Sequence, residues 1–262
     1  MPYRFYKLTA AGNDFILFYN NRDLKFSSNL IRYICDRHYG IGGDGILILD
    51  SKKDGFYLKY FNPDGSVSFC GNGTRSAAFF IFKKIYGGKK KSFDINTVAG
   101  RLKIIVRNEK IFTEMPSPDF ITNIFIKNKW DFSKMCYLKA GTYHLIIETE
   151  DILKINVLEC GRFFRYHKNF RPHGTNVDFI KIEKLIGNKV ICNIRTYEKG
   201  VEDETLSCSS GIASSFYYLK DKYSIRKAVF ISRNGEKFYL EFENSKLYLN
   251  GPVKLVFEGR LL

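Results

Sequence analysis

No C-x-x-C pair occurs among the six cysteines of this 262-residue chain, and its four histidines stand apart without a ligand spacing. A zinc site and a disulfide framework both need clustered ligands or paired thiols, so neither a metal nor a set of cross-links is expected. No apolar run reaches the length that spans a bilayer, and the opening MPYRFYKLTAAGNDF lacks the long apolar core of a secretory signal. The expectation is a soluble cytoplasmic protein with no membrane partner. Acidic residues are scarce, 27 against 42 basic ones, for a formal charge of +15. That excess brings nucleic acid into view as a partner. The basic residues are dispersed, however, with Lys89-Lys90-Lys91 the only lysine triplet, and no zinc-finger, basic-zipper or RNP pattern is present. Nucleic-acid binding is therefore a minority reading, and a basic field that draws in an anionic small molecule fits the same charge.

What the chain does have is 45% hydrophobic and 16% aromatic residues, the composition of a folded protein with a large core. Short runs of alternating polarity at 3–8, 56–61, 101–106, 190–197, 237–242 and 253–257 read as mostly antiparallel strands. Turn signals at Asp54-Gly55, Pro63-Asp64-Gly65 and Asn234-Gly235 punctuate them. Three segments read as helices: SNLIRYICDRHY with Ser28 as its cap, 73–86, and 210–222. The last two have almost no polar face, through AAFFIF at 77–82 and FYYL at 216–219, which marks helices buried all round and wrapped by strands. Met115-Pro116-Ser117-Pro118 is the best mid-chain boundary. Gly12-Asn13-Asp14-Phe15-Ile16 is echoed by Thr175-Asn176-Val177-Asp178-Phe179-Ile180. A duplicated α+β unit with a cleft between the copies is the simplest architecture.

Each of these buried helices follows a cysteine and a small-residue turn: Cys70-Gly71-Asn72-Gly73 and Cys208-Ser209-Ser210-Gly211. The positive end of a helix stabilises a thiolate and can hold a carboxylate on its first amides, and small residues let a ligand approach the backbone. Two such ends facing one bound carbon suit stereoinversion, one thiolate removing the α-proton while the opposing thiol returns a proton to the other face. The carboxylate, held between two positive ends, takes up the charge that develops. No cofactor is needed. A single C-G-N-G would be an ordinary turn into a helix; the repetition favours chemistry. Cys35, Cys136, Cys160 and Cys192 read as small buried hydrophobes.

These motifs resemble the diaminopimelate epimerase family. Phe61-Asn62-Pro63-Asp64-Gly65-Ser66 with Cys70-Gly71-Asn72-Gly73-Thr74-Arg75 is similar to its first signature, and Tyr197-Glu198-Lys199-Gly200 through Leu206-Ser207-Cys208 to its second. Gly12-Asn13-Asp14-Phe15, His38-Tyr39-Gly40-Ile41-Gly42 and Gly174-Thr175-Asn176 fall in matching order, so the resemblance spans essentially the whole chain. It implies a cofactor-independent epimerase of LL- and meso-diaminopimelate, a homodimer, and two similar halves, 1–116 with 251–262 and 117–250. Cys70 and Cys208 would be the acid/base pair, and the amides of Gly71, Asn72, Ser209 and Ser210 the carboxylate cradle. Asn13, Asn62, Asn176 and Glu198 would bind or orient the substrate, with Thr142 and His144 as further contacts.

Three positions depart from the family. Lys199 stands for an arginine, which replaces a two-pronged carboxylate contact with a point charge. Thr142 stands for an asparagine in Gly141-Thr142-Tyr143-His144, and Ser209 for a glycine, where its backbone N–H is kept. Two of the three concern substrate recognition and none is a cysteine, so a racemase of another amino acid stays open beside the epimerase.

Overall fold

Successive side chains leave a strand on opposite faces, so alternating runs form strands that bury one face. In the computed structural model, which describes residues 3–20 and 25–261, all six alternating runs are strands, the last beginning at Lys254. The chain divides into two compact units, Met1–Glu114 with Asn250–Leu262, and Met115–Leu249.

In the first unit β1 (Tyr3–Ala10) pairs antiparallel with β2 (Asn13–Tyr19), and β2 lies parallel to β3 (Gly45–Lys52). A parallel neighbour requires a crossover, and helix α1 (Ser28–Cys35) lies in this one. Strand β4 (Gly55–Phe61) returns antiparallel to β3 and also pairs with the short β5 (Val67–Ser68). A second crossover through α2 (Gly71–Phe80) and a π turn at Ile81–Ile85 leads to β6 (Ser92–Thr97), parallel to β4. Antiparallel β7 (Gly100–Arg107) and β8 (Lys110–Met115) follow, and the final strand β18 (Lys254–Leu261) closes on β1.

The second unit repeats this order. After β9 (Phe120–Ile124), strands β10 (Met135–Ala140) and β11 (Thr142–Glu148) pair antiparallel, and β11 lies parallel to β12 (Asn176–Ile186) across a crossover containing α3 (Val157–Arg165). Strand β13 (Lys189–Glu198) is antiparallel to β12 and to the short β14 (Asp203–Thr205). Helix α4 (Ser209–Tyr223) then carries the chain to β15 (Lys227–Ile231), parallel to β13 and antiparallel to β16 (Lys237–Glu243). Strand β17 (Lys246–Asn250) follows. Each unit therefore holds two parallel pairs within a mostly antiparallel arrangement, and each parallel pair encloses a helix.

The helices depart from the sequence reading in detail. Ser27, not Ser28, caps α1, its Oγ accepting the Leu30 amide at 3.2 Å. The helix stops at Cys35 because Asp36 turns its carboxylate onto the His38 and Tyr39 amides. Helix α3 has no counterpart in that reading, although Val157, Cys160, Gly161 and Phe164 bury one face at helical spacing. The glycine within it masks the pattern. Here its bare backbone is required, since a Cβ would lie 2.4 Å from that of Tyr197.

Helices α2 and α4 are the centres of their units. Ala77, Ala78 and Ile81 are fully buried against Leu8, Phe15, Leu17, Leu47 and Leu49, and Ile212, Phe216 and Leu219 are fully buried along α4. Cys35, Cys136, Cys160 and Cys192 are buried, and burial pushes the first three thiols up to about 11, which leaves them inert. Among the described residues no helix is long and apolar enough to cross a membrane. Truncating Phe216 to alanine removes a ring at 0% exposure and is expected to cost about 3–5 kcal/mol of stability. Urea denaturation of Phe216→Ala against the parent checks this.

Candidate active site

The second crossover of each unit begins on a cysteine. Cys70 is the N-cap of α2, with extended backbone at φ −132° and ψ 111°, and its Sγ accepts the Gly73 amide at 3.3 Å. Cys208 caps α4 at φ −127° and ψ 106°, and its Sγ accepts the Gly211 amide at 3.4 Å. The two caps share one geometry to within a few degrees. In each the sulfur takes the place of the oxygen that serine or aspartate brings to this position. A thiolate formed there faces the positive end of a helix. Gly71, Asn72, Ser209 and Ser210 form the first turns of these helices, and all four are buried.

Around Cys70 two of the predicted residues, Asn72 and Asn13, begin a chain of hydrogen bonds. Asn72 donates to Asn13 Oδ1 at 3.3 Å, and Asn13 donates to Asp44 Oδ2 at 2.8 Å. Asp44 in turn meets Arg37 at 2.8 Å, and Arg37 forks onto Asp14, which also holds Lys7 at 2.6 Å. Burial opposes ionisation of Asp14, but Arg37 and Lys7 prevail and hold its carboxyl at about 2. Asp44 is raised, mainly by burial. Asn62 does not join this chain: its amide donates to Ser66 Oγ and Ser68 Oγ, within its own turn.

Around Cys208 the arrangement differs. Asn176 is held on both sides, donating to Thr142 Oγ1 at 3.2 Å and the Tyr143 carbonyl at 2.8 Å, while its Oδ1 accepts the Lys199 amide. The structure thus joins three predicted residues, with Thr142 steadying Asn176. His144 is fully buried and its Nδ1 lies 2.6 Å from Asp178 Oδ2, while its Nε2 meets no hydrogen-bond partner among the described residues. Thr196 donates to the other Asp178 oxygen at 2.7 Å. Glu198 closes strand β13, half-buried, and the Lys199 side chain is exposed. Partial desolvation and the neighbouring Arg165 lower the Lys199 ammonium, against Glu202. Burial first, then Glu198 and Asp178, push the Cys208 thiol well above its ordinary range.

Asp178, Asp44 and Arg75 carry no foreseen role in the sequence motifs. Asp178 lay within the echoed Thr175-Asn176-Val177-Asp178 stretch and Arg75 within the first cysteine motif, so both were visible as motif members. Their burial, at 0% and 1% exposure, was not.

The comparisons with known proteins decide the family. A model described as diaminopimelate epimerase matches residues 5–121. Diaminopimelate epimerases of Aquifex aeolicus and Hydrogenobaculum are 33% and 34% identical, with 98% and 97% of this chain covered and 97% of each relative. The one from Campylobacter jejuni is 34% identical over 98% of both chains. This chain belongs to the diaminopimelate epimerase family. Solved structures extend the fold beyond that family. A phenazine biosynthesis PhzF-family protein of Enterococcus faecalis superposes with a TM-score of 0.75 at 15% identity, over 100% of both chains. A hydroxyproline epimerase of Agrobacterium vitis gives 0.73 at 11%, over 99% of this chain and 92% of that one.

The two cap glycines separate what this family member tolerates at each end. A Cβ on Gly211 would lie 2.1 Å from Asp178 Oδ1, whereas one on Gly73 would meet a Leu47 methyl at 2.9 Å. Gly211→Ala displaces a buried, doubly bonded carboxylate and is expected to lose about 1–3 kcal/mol, more than Gly73→Ala. Paired thermal melts of the two variants measure the difference.

Proposed function

We propose that this protein interconverts LL- and meso-2,6-diaminopimelate, serving lysine and peptidoglycan precursor synthesis, with Cys70 and Cys208 as a two-base pair. The observation that carries the reading is the repeated cap: one thiol at the positive end of a buried helix in each unit, in one backbone geometry. Full-length similarity to proteins named diaminopimelate epimerase supports the substrate. The recurring order of strand pairings supports the two units as copies of one half.

In this reading a thiolate takes the α-proton from one face and the second thiol supplies a proton to the other. The first-turn amides of Gly71, Asn72, Ser209 and Ser210 hold the reacting carboxylate, where the helix dipoles offset the charge that builds on the α-carbon. Asn13, Asn62, Asn176 and Glu198 position the rest of the substrate, Thr142 and His144 are further contacts, and Lys199 meets the distal carboxylate. No cofactor enters the scheme.

Incubation of the reduced protein with LL-diaminopimelate in D₂O, followed by NMR and chiral chromatography, tests it. Deuterium is expected at the α-carbon together with the meso form. Exchange confined to a monocarboxylic amino acid would transfer the reaction to that substrate, and no exchange with any amino acid would sink the proposal. Cys70→Ala and Cys208→Ala should each lower epimerisation by about 10²–10⁴-fold without loss of fold.

The exposed Lys199 gives a separate expectation. Lys199→Ala should raise KM for diaminopimelate severalfold, with little change in kcat, because a uniform binding contact is lost. Steady-state kinetics show whether KM or kcat moves.

A further inference from the structure

Strand β12 begins and strand β13 ends beside the last turn of α3, and one carboxylate ties the three together. Glu202, in the left-handed region at φ +60°, takes the Gly200 amide at 3.1 Å on the same oxygen that accepts Arg165 Nε and Nη2 at 3.2 and 3.0 Å. Its other oxygen accepts the Tyr197 hydroxyl at 3.3 Å. The Arg165 guanidinium lies over the Tyr166 ring at 4.8 Å, a stack that fixes the plane of the fork.

That leaves Nη1, which has no acceptor among the described residues. It lies against Gly174, two positions before Asn176, so closely that a Cβ there would stand 1.7 Å from it. From the other side Lys199 reaches the same residue, its backbone N–H meeting Asn176 Oδ1 at 2.9 Å. The amide hydrogens of Asn176 are spent on Thr142 Oγ1 and the Tyr143 carbonyl, so donors for an anion at this corner must come from its neighbours.

Those neighbours are two cations. Arg165 is near enough to help lower the Lys199 ammonium, after partial desolvation, and Glu202 opposes the shift without cancelling it. Like charges held together repel unless an anion shares them, and one oxygen of Glu202 already serves three N–H groups. The negative end of α3 accounts for one cation in its last turn. It does not account for a second one beside it.

We propose that Arg165 joins Lys199 in a carboxylate subsite, its Nη1 donating to the carboxylate of the substrate remote from the reacting carbon. The inference deepens the proposed function and rests on it for the identity of that carboxylate. Arg165 is thus a specificity-determining residue, set in place by Glu202 and Tyr166, and it distinguishes a dicarboxylic from a monocarboxylic amino acid.

Binding tests this without requiring turnover. The reduced full-length protein is titrated calorimetrically with LL-diaminopimelate and with L-lysine, which is the same chain without the second carboxylate. Arg165→Met is expected to weaken diaminopimelate roughly tenfold and lysine less than about twofold, because one charge-assisted bond is lost and only one ligand makes it. Arg165→Lys keeps the charge beside Glu202 without the fork and should restore part of the loss.

Unchanged diaminopimelate binding in variants with native circular dichroism overturns the proposal. Equal weakening of both ligands does so too, since a residue that merely braces the loop would not tell them apart. In the unmodified protein, lysine bound as tightly as diaminopimelate overturns it whether or not any variant folds. Deuterium exchange with binding that ignores Arg165 would cost only this subsite, whereas Arg165-dependent binding without exchange would cost only the proposed reaction.

Discussion

A sulfur atom that accepts the third amide of a buried helix does two things at once. It completes the helix end, whose first N–H groups the ladder leaves without acceptors, and it stands where a negative charge is favoured. Cys70 and Cys208 both occupy this position, with Sγ to amide distances of 3.3 and 3.4 Å. The rest of each unit serves to put the helix end there. A parallel strand pair demands a crossover, the crossover is a helix apolar nearly all round, and the surrounding strands bury it. Rigidity at the thiol follows from that burial, since a helix packed against strands on its apolar faces has no free direction in which to swing.

The common scaffold is furnished differently at its two ends. In the first unit a run of amides, from Asn72 to Asn13, leads outward to the charged cluster of Asp44, Arg37, Asp14 and Lys7. In the second, a carboxylate lies directly beneath the helix, bonded to a histidine and a threonine. One cap geometry holds both sulfurs, while the buried groups behind the two helix ends differ.

None of the departures from the family pattern replaces a cysteine. Thr142 keeps a polar contact with Asn176, so the loss of an amide there leaves Asn176 anchored by a hydroxyl and a carbonyl. Lys199 supports Asn176 through its backbone N–H, which any residue but proline offers at that position, so the change from arginine leaves this support intact. The serine at 209 is buried at the head of α4, where the contribution to an anion cradle comes from the main chain.

Much of this was legible in the letters because local rules carry it. The alternating runs are strands, the nearly all-apolar stretches are the central helices, and the cysteine turns start those helices. Each of these depends on residues adjacent in the chain. The parallel pairings were not legible, because register is chosen by which strand lies alongside after a crossover, a long-range event. Helix α3 escaped because Gly161, a poor helix former in isolation, is required by the ring of Tyr197, 36 positions further on. The burial of Arg75 and Asp178 was equally hidden. Arg75 and Asp178 read as ordinary polar letters, and only the fold removes the water that would screen them. The sequence by itself determined the two thiols, their helices and the family; the tertiary structure decided which neighbours those thiols feel, because a field depends on distance and solvent exclusion, and neither is written in the order of residues.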